Sequence, residues 1–432
     1  MRKPLHKHIA HHVKRIHGHF TKYLYERDTI LATAWVFTFI LAVKFLPLPN
    51  IHFLDPMEIA LEDFDFNDIA YSKLKKSEDI HPDNRIVIIN IGEADREGLA
   101  MLINKTAEMK PKVMGLDVEM NGPRDIFKDS LMRDAIEKNK NLVIASRFFP
   151  GKGKEESTYS PNYFSTDTTN DGYVNFFTKE WATVRIWNPF MSNKKNYNRK
   201  PYQSFAASIV EKYSSVAFER LRKRKNPTEQ INYSRKIKDP LQNDDSRKPS
   251  QYLLIEGEDL LLEPGKYSEA IKDKIALLGY INLSPENIED KKYTPMNEEF
   301  AGKSIPDMNG IVIHANIISM VLDNKYIKKL PSWVNIAVAI LVGWLHMSFF
   351  IRYYLENHIW FHLVAKFAQL LSAIFFVYVG IYFFTKYRIK LDMSLTLVVI
   401  VLAVDIIYFY EAFAVWLHKK FEYKTVFHQQ HH

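Results

Sequence analysis

The chain has 432 residues, 47% of them hydrophobic and 14% aromatic, and its formal net charge is +8. It contains no cysteine, which excludes disulfides, iron–sulfur clusters and thiolate catalysis. Much of the basic excess precedes the first apolar run, where it indicates membrane topology and a lipid-facing surface, so no nucleic-acid partner is expected.

The N-terminal segment, residues 1–28, has the pattern of a basic amphipathic helix. Its apolar residues recur at spacings of four and three, among lysines and histidines: Leu5, Ile9, Val13, Ile16, Phe20 and Tyr23. This spacing places them on one helix face, so the segment is expected to lie on the inner membrane surface. A helix that binds a partner protein is the alternative.

An apolar run at residues 29–48 is predicted to cross the membrane, although it is near the minimum length for a hydrocarbon core of about 30 Å. Basic residues accumulate on the cytoplasmic side of membrane spans, so those ahead of this run place the N-terminus inside. They are Arg2, Lys3, Lys7, Lys14, Arg15, Lys22 and Arg27. A cleaved signal peptide is the alternative, but no small-residue cleavage pattern follows.

Residues 49–331 are predicted to form an extracytoplasmic α/β domain with a mostly parallel sheet, because strands and helices alternate with short links. The first strands and helices are expected at 85–91, 94–109, 112–118, 125–139 and 141–146. A hairpin-like pair at 172–177 and 183–187 and a helix at 202–213 follow. Later elements are expected at 251–262, 274–281 and 311–322. The charged stretch 219–250 is predicted to be an exposed insertion or mobile loop.

Three further apolar runs, 332–351, 359–384 and 391–417, are predicted transmembrane helices, and residues 418–432 are a cytoplasmic tail. Four spans in total return the C-terminus to the cytoplasm, which agrees with the basic residues Lys419, Lys420 and Lys424 there. The basic residues Lys386, Arg388 and Lys390 disagree with this orientation, because it places their loop outside. The expected location is a bacterial inner membrane, with the domain in the periplasm and both termini in the cytoplasm.

Five stretches resemble a known family when taken in order: RIVIINIG, KVMGLDVEMNGPRD, GYVNFFTKEWATVRIWNPF, KIALLGYINLSPENIEDKKYTP and NGIVIHANIISMVL. Together with the three apolar runs they are similar to the CHASE type-two domain, an extracytoplasmic sensory domain associated with cyclases and histidine kinases. The resemblance covers roughly residues 55–417. The family's tryptophan–proline segment after the first strand is missing. Since the sequence ends about fifteen residues after the last run, the resemblance implies output through a separate partner.

Acidic side chains follow the predicted strands, where ligands bind in open parallel sheets. The candidate ligand-binding residues are Glu93, Asp117, Glu119, Asp125, Arg185 and Asp290. The carboxylates could hold a cation or a polar ligand, and Asp290 with Thr294 and Pro295 could face the same cleft. The alternatives are a helix cap at Asp125, a turn near Asp290 and an ion pair at Arg185.

An enzyme is not expected, and neither a cofactor nor a catalytic residue is assigned. No G-x-S-x-G turn or P-loop is present, and His314 in a predicted helix has the surroundings of a packed residue. His358 and His362 have a spacing that can bind zinc, but interfacial histidines are commoner, so no metal site is assigned.

Three charged residues fall inside the predicted spans: Lys366, Asp405 and Glu411. Charged groups at such depth usually face protein, so Lys366 is predicted to pair with Glu411 at a similar depth. Asp405 is expected to mark a polar contact or a contact with a partner subunit.

The sequence therefore favours a membrane-anchored sensory or ligand-binding module that acts through partners. Its expected partners are membrane lipids, other membrane or envelope proteins and an unidentified small ligand, within an oligomer or hetero-complex. The alternative is a structural subunit or assembly platform of a cell-envelope complex.

Overall fold

The computed structural model describes residues 23–45, 65, 67–74, 81–151, 157–166, 170–178, 182–191, 201–237, 251–284, 286–297, 305–356 and 360–430. The chain divides into two compact units, Ala60–Ile327 and Met1–Ile59 with Lys328–His432. The amphipathic helix predicted within residues 1–28 lies outside the described residues except for its last positions.

The elements of the described residues are numbered here in chain order. The strands are β1 (Ile86–Asn90), β2 (Val113–Leu116), β3 (Leu142–Phe149), β4 (Thr158–Ser160), β5 (Asn170–Tyr173), β6 (Ile186–Trp187), β7 (Phe190–Met191), β8 (Tyr202–Gln203), β9 (Glu229–Gln230), β10 (Leu253–Glu256), β11 (Ile275–Gly279), β12 (Lys291–Lys292), β13 (Met308–Asn309), β14 (Lys328–Lys329) and β15 (Ile389–Lys390). The α-helices are α1 (Arg27–Phe45), α2 (Arg96–Glu108), α3 (Ile126–Lys138), α4 (Phe205–Tyr213), α5 (Ser215–Arg224), α6 (Gly257–Leu262), α7 (Pro264–Ile271), α8 (Gly310–Leu322), α9 (Ser332–Glu356), α10 (Phe361–Tyr387) and α11 (Ser394–Phe421).

A mostly parallel sheet forms the centre of the unit Ala60–Ile327, as the sequence predicts. Its order is β10-β1-β11-β2-β3-β4, with β5 also paired to β3. The pairing of β3 with β4 is antiparallel, and the other pairings of this sheet are parallel. Parallel strands end at the same edge, so the loops that follow β1, β2 and β11 gather there.

Helices cover the sheet because its strands alternate their apolar side chains between two faces. Val87 and Ile89 of β1 belong to the core cluster that contains Leu99 and Ile103 of α2. Each such buried side chain contributes about 1.5–3 kcal/mol. Local capping sets where α2 begins, since the Asp95 carboxylate accepts from the third residue of the helix.

Two strand glycines allow α4 and α8 to approach the sheet closely. A Cβ atom on Gly115 of β2 would lie 2.7 Å from the Ile209 side chain and 2.8 Å from that of Phe205, both in α4. A Cβ atom on Gly279 of β11 would lie 2.9 Å from Ile311 of α8. The sheet therefore has room for these helices only because the two positions lack side chains.

The predicted hairpin of 172–177 with 183–187 is wrong. The strand β5 pairs parallel with β3, and β6 pairs antiparallel with β9. The backbone N–H of Val174 donates to Ser146, and that of Val184 donates to Tyr293. Alternating apolar residues indicate two strands, but they do not say which strands exchange hydrogen bonds.

The predicted loop at 219–250 is wrong for its first part. Residues 219–224 belong to α5, whose Phe218 and Leu221 are buried, and β9 follows. Ile231 and Tyr233 are fully buried as well. Most residues of this stretch face solvent and are charged, so the composition resembles that of a loop. A few buried apolar residues are enough to pack the stretch against the domain. Residues 238–250 lie outside the described residues.

The other unit is a helix bundle. Its helices α9, α10 and α11 are long and apolar enough to cross a membrane. At 1.5 Å per residue, even the shortest of them spans about 38 Å, more than a hydrocarbon core of about 30 Å. The first helix, α1, packs against α9 and α11 and buries Ala32 and Val36. Its crossing of the membrane stays a prediction.

Candidate ligand-binding site

Two carboxylates converge where β2 and β11 end. Asp117 directly follows β2, and its backbone N–H donates to the Leu278 carbonyl of β11 at 2.9 Å. Asp290 lies in the loop after β11, and its carbonyl accepts from the N–H of Gly310, the first residue of α8. A Cβ atom on Gly310 would lie 3.6 Å from Asp290 Oδ2 and 3.8 Å from Asp117 Oδ2. The structure therefore brings these two predicted residues together.

The protein environment makes both groups weaker acids than free carboxyls. Asp117 is half-buried, and this burial raises the pKa of its carboxyl group to about 8. The charges of Asp290 and Glu119 add to the shift. Burial also raises the pKa of Asp290, while Lys292 and the N–H of Gly310 oppose that shift. At neutral pH, Asp117 is a carboxylic acid that can donate a hydrogen bond.

The N-terminus of α8 borders the two carboxyl groups. Its partial positive charge favours nearby anions and polar oxygens. Asn309, the capping residue, is buried; its Oδ1 accepts from the N–H of Asn282, while its Nδ2 has no partner among the residues described. This corner of the domain thus offers an acid, a second carboxyl group and an amide for binding a small polar ligand.

Three other predicted residues of this edge have different roles. The Glu119 carboxylate pairs with Arg147 at 2.9 Å. The Asp125 side chain accepts from the N–H of Lys128 and caps α3, as the alternative reading predicts. Glu93 is exposed in the turn after β1. Among the predicted acids, Asp117 and Asp290 are therefore the pair that shares one space.

Arg185 forms an ion pair within the domain. Its Nη2 lies 2.6 Å from Oδ2 of Asp68, and both side chains are largely buried. The sequence analysis gave an ion pair as the alternative role of Arg185, and this contact is such a pair. It joins residues 117 positions apart in the chain. The guanidinium is therefore occupied by Asp68 rather than displayed for an anionic ligand.

Sequence reasoning missed Asp307. Its carboxylate accepts from the N–H of Thr294 at 2.7 Å and from the Thr294 hydroxyl at 2.6 Å. Burial raises the pKa of Asp307 to about 6. Its position in the sequence could have indicated a buried acid, because Asp307 lies three residues before the buried helix α8. The backbone N–H of Asn297 also donates to the Thr294 carbonyl at 3.1 Å, so Thr294 begins a turn.

His314 is a packed residue. Its ring lies 4.9 Å from that of Phe176 and 5.2 Å from that of Phe205, between centroids. Burial lowers the pKa of His314 to about 3, so the imidazole is neutral over the physiological range.

The predicted ion pair of Lys366 with Glu411 is wrong. Lys366 Nζ lies 3.2 Å from Asp405 Oδ1, and Glu411 accepts a hydrogen bond from Tyr354 at 2.7 Å. Asp405 and Glu411 are six residues apart, so they point about 120° away from each other around α11. Depth along the helix suggested Glu411 as the partner of Lys366. The direction in which each side chain leaves α11 instead makes Asp405 the partner.

The zinc spacing of His358 and His362 stays a prediction, because only one of the two histidines lies within the described residues. His358 lies outside the described residues, and His362 Nε2 lies 2.9 Å from the Tyr408 hydroxyl. Within the part of the chain that the structure describes, no group of three or more metal-ligating side chains is present.

Comparison with known families decides the identity of the domain. A family model, the CHASE2 domain, matches residues 36–349, well over half of the chain. The chain belongs to the CHASE2 domain family. The resemblance found in the sequence is thereby confirmed, and CHASE2 is a family of sensory extracellular domains. No curated protein and no solved structure matches the chain. The pair Asp117 and Asp290 lies within the CHASE2 match.

Proposed function

We propose that this CHASE2 protein is a membrane-anchored sensory module that acts through partner proteins. Its proposed setting is a bacterial inner membrane, with the domain in the periplasm and both termini in the cytoplasm. Family membership supports sensing, and three membrane-length helices support anchoring. The basic residues ahead of α1 support the orientation. The proposal includes no catalytic step.

The proposed ligand is small and polar and carries a cationic or hydrogen-bond-donating group. The convergence of Asp117 and Asp290 around Gly310 carries this part of the proposal. A protonated Asp117 donates one hydrogen bond, and the remaining carboxyl oxygens accept from the ligand. A bound cation would lower the pKa of both acids, because it stabilises their charged forms.

Thermal unfolding of the full-length protein in detergent tests the site, with calcium chloride and spermidine as separate probes. Binding to the folded state raises the unfolding temperature, by an amount equivalent to about 2.7 kcal/mol at a hundredfold excess over Kd. Asp117→Asn and Asp290→Asn should abolish the rise, whereas Asp125→Asn, which keeps its cap, should retain it. An equal rise in all four proteins would refute the proposed site.

The second candidate function is an assembly platform. Ile126 and Phe127 are adjacent in the first turn of α3, and 93% and 65% of their surfaces are exposed. An apolar pair of this kind suits contact with another protein. Loss of co-purifying envelope proteins in Ile126→Ser/Phe127→Ser, with retention in the control Val216→Ser, would favour this function.

A further inference from the structure

The ion pair of Lys366 with Asp405 lies on the outer surface of the helix bundle. The two side chains are 55% and 56% exposed, although both belong to helices long and apolar enough to cross a membrane. Lys366 is five residues from the start of α10, about 7.5 Å along the helix. Charged groups at membrane depth are costly and almost always face protein or water. Asp405 is eleven residues from the start of α11 and sixteen from its end. An exposed pair that includes a charge so far from both helix ends therefore indicates that another surface covers it.

Polar contacts on both sides hold the pair in a fixed register. One turn before Lys366, His362 contacts the Tyr408 hydroxyl, and one turn after it Gln369 Nε2 donates to the Val401 carbonyl at 2.8 Å. As residue numbers rise along α10, those of their partners fall along α11, so the helices run antiparallel. Lys366 and Asp405 consequently lie side by side at one depth on neighbouring helices.

Exposed apolar side chains surround the pair. They lie three or four residues from Lys366 or Asp405, and hence on the same helix faces. Their exposed fractions are 51% for Leu363, 57% for Leu370, 56% for Val401 and 62% for Phe409. We call these four residues, with Lys366 and Asp405, the seam patch. It has the arrangement of a contact surface, with a polar pair inside an apolar border.

The helix that carries half of this patch is poorly covered by its own bundle. Of the most apolar stretch of α10, 22% is buried, against 39% for α9 and 44% for α11. Lipid chains can cover apolar side chains, but they do not solvate an exposed ion pair.

We propose that the seam patch binds a second copy of this chain within the membrane. Copies inserted in the same direction form a closed dimer about an axis along the membrane normal. Rotation about this axis exchanges left and right but preserves depth. Because Lys366 and Asp405 lie side by side at one depth, the rotation sets Lys366 of each copy against Asp405 of the other. The patch is thus complementary to itself in charge, and its apolar border excludes lipid and water from the four charges.

Charge reversal distinguishes this contact from the ion pair within one chain. Lys366→Asp and Asp405→Lys each leave two like charges on every copy, so each variant alone should lose the dimer by about tenfold or more. When differently tagged copies of the two variants are co-expressed, every interchain contact again joins opposite charges, while the pair within each chain stays broken. Recovery of the mixed dimer in membrane vesicles supports the proposal. Absence of recovery, or unchanged dimers of the single variants, overturns it.

Cysteine cross-linking provides a second test in which the ion pair stays intact. The chain has no native cysteine, so single replacements report one position each. Leu370→Cys in the seam patch should give a dimer with a short bis-maleimide in membrane vesicles, whereas the comparably exposed Leu341→Cys on α9 should not. Equal cross-linking at both positions, none at Leu370→Cys, or cross-linking of Leu370→Cys to a different protein overturns the proposal. Both tests require membrane insertion but no ligand, so they can fail independently of the proposed binding site.

Discussion

The carboxylate of Asp28 accepts a hydrogen bond from the Tyr410 hydroxyl at 2.7 Å and thereby joins α1 to α11. Asp28 is only 1% exposed. Its remaining donors come from the segment after α11: Tyr423 and Thr425 through their hydroxyls at 3.0 Å and Val426 through its N–H at 2.7 Å. Four donors compensate the buried carboxylate, so one residue ties the first helix of the bundle to its last helix and to the chain that follows.

Asp28→Asn should destabilise the bundle by about 2 kcal/mol. An amide accepts through one oxygen and presents an N–H₂ group to donors that it cannot satisfy. The check is the thermal unfolding midpoint of the full chain in detergent. Asp392→Asn is the matched control, because this exposed carboxylate only accepts from Ser394 at the start of α11. Equal midpoints for both variants would show that the Asp28 contacts add no stability.

Asp117 should make the domain less stable as the pH rises. Its pKa is about 8 in the folded state and about 4 in an unfolded chain, so the folded state binds the extra proton between these values. Protonation of Asp117 thus contributes to the free energy of unfolding. This contribution is fully present below about pH 4 and is lost by about pH 8. Asp117→Asn, a neutral isostere, should remove this contribution and flatten the curve of unfolding midpoint against pH between 5 and 8.

The pH measurement needs a control on the same edge of the sheet. Asp125→Asn preserves a capping side chain and should leave the pH curve of the natural protein unchanged. Burial raises the pKa of Asp290 and Asp307 as well, so some slope should persist in every variant. A slope in Asp117→Asn as steep as that of the natural protein would refute the assignment.

Removing one partner of the Arg185–Asp68 pair should cost about 3 kcal/mol. Both groups are largely buried, so Arg185→Met leaves the Asp68 carboxylate without its cation. The double variant Arg185→Met/Asp68→Leu should recover much of that loss, because it removes both charges of this pair. Chemical denaturation of Arg185→Met, Asp68→Leu and the double variant measures the coupling between the two sites. Additive losses would mean that the two residues do not stabilise each other.

Gly115→Ala should destabilise the domain by about 2 kcal/mol. The added methyl group would lie within 3 Å of Ile209 and Phe205, so α4 must move or change its packing. Gly265→Ala in α7 is the control, since nothing lies within 4 Å of its added methyl and alanine favours a helix. We expect the control to match or exceed the natural stability, and a loss in both would point to a general effect of the substitution.

The sequence was sufficient where the structural signal is local. Buried apolar runs located β1, β2 and β11, and Asp125 marked the start of α3 through its cap. The convergence of Asp117 with Asp290 was also predictable, because parallel strands end at one edge. These inferences need only periodicity, capping chemistry and the geometry of parallel sheets.

Features that depend on distant partners could not be predicted. Alternation does not reveal that β6 pairs with β9, and the Asp68–Arg185 contact joins residues 117 positions apart. The partner of Lys366 required the direction of Asp405 around α11 as well as its depth. Such choices are made by tertiary packing, which a single sequence does not display.

The most direct test of the membrane-anchored sensory account is the side of the membrane on which the domain lies. Ile126→Cys, at a position 93% exposed, and Lys419→Cys, near the end of α11, can be labelled one at a time in this cysteine-free chain. With a membrane-impermeant maleimide on spheroplasts, the account predicts labelling of Ile126→Cys and protection of Lys419→Cys until the membrane is permeabilised. Labelling of both positions in intact spheroplasts, or of Lys419→Cys alone, would contradict it.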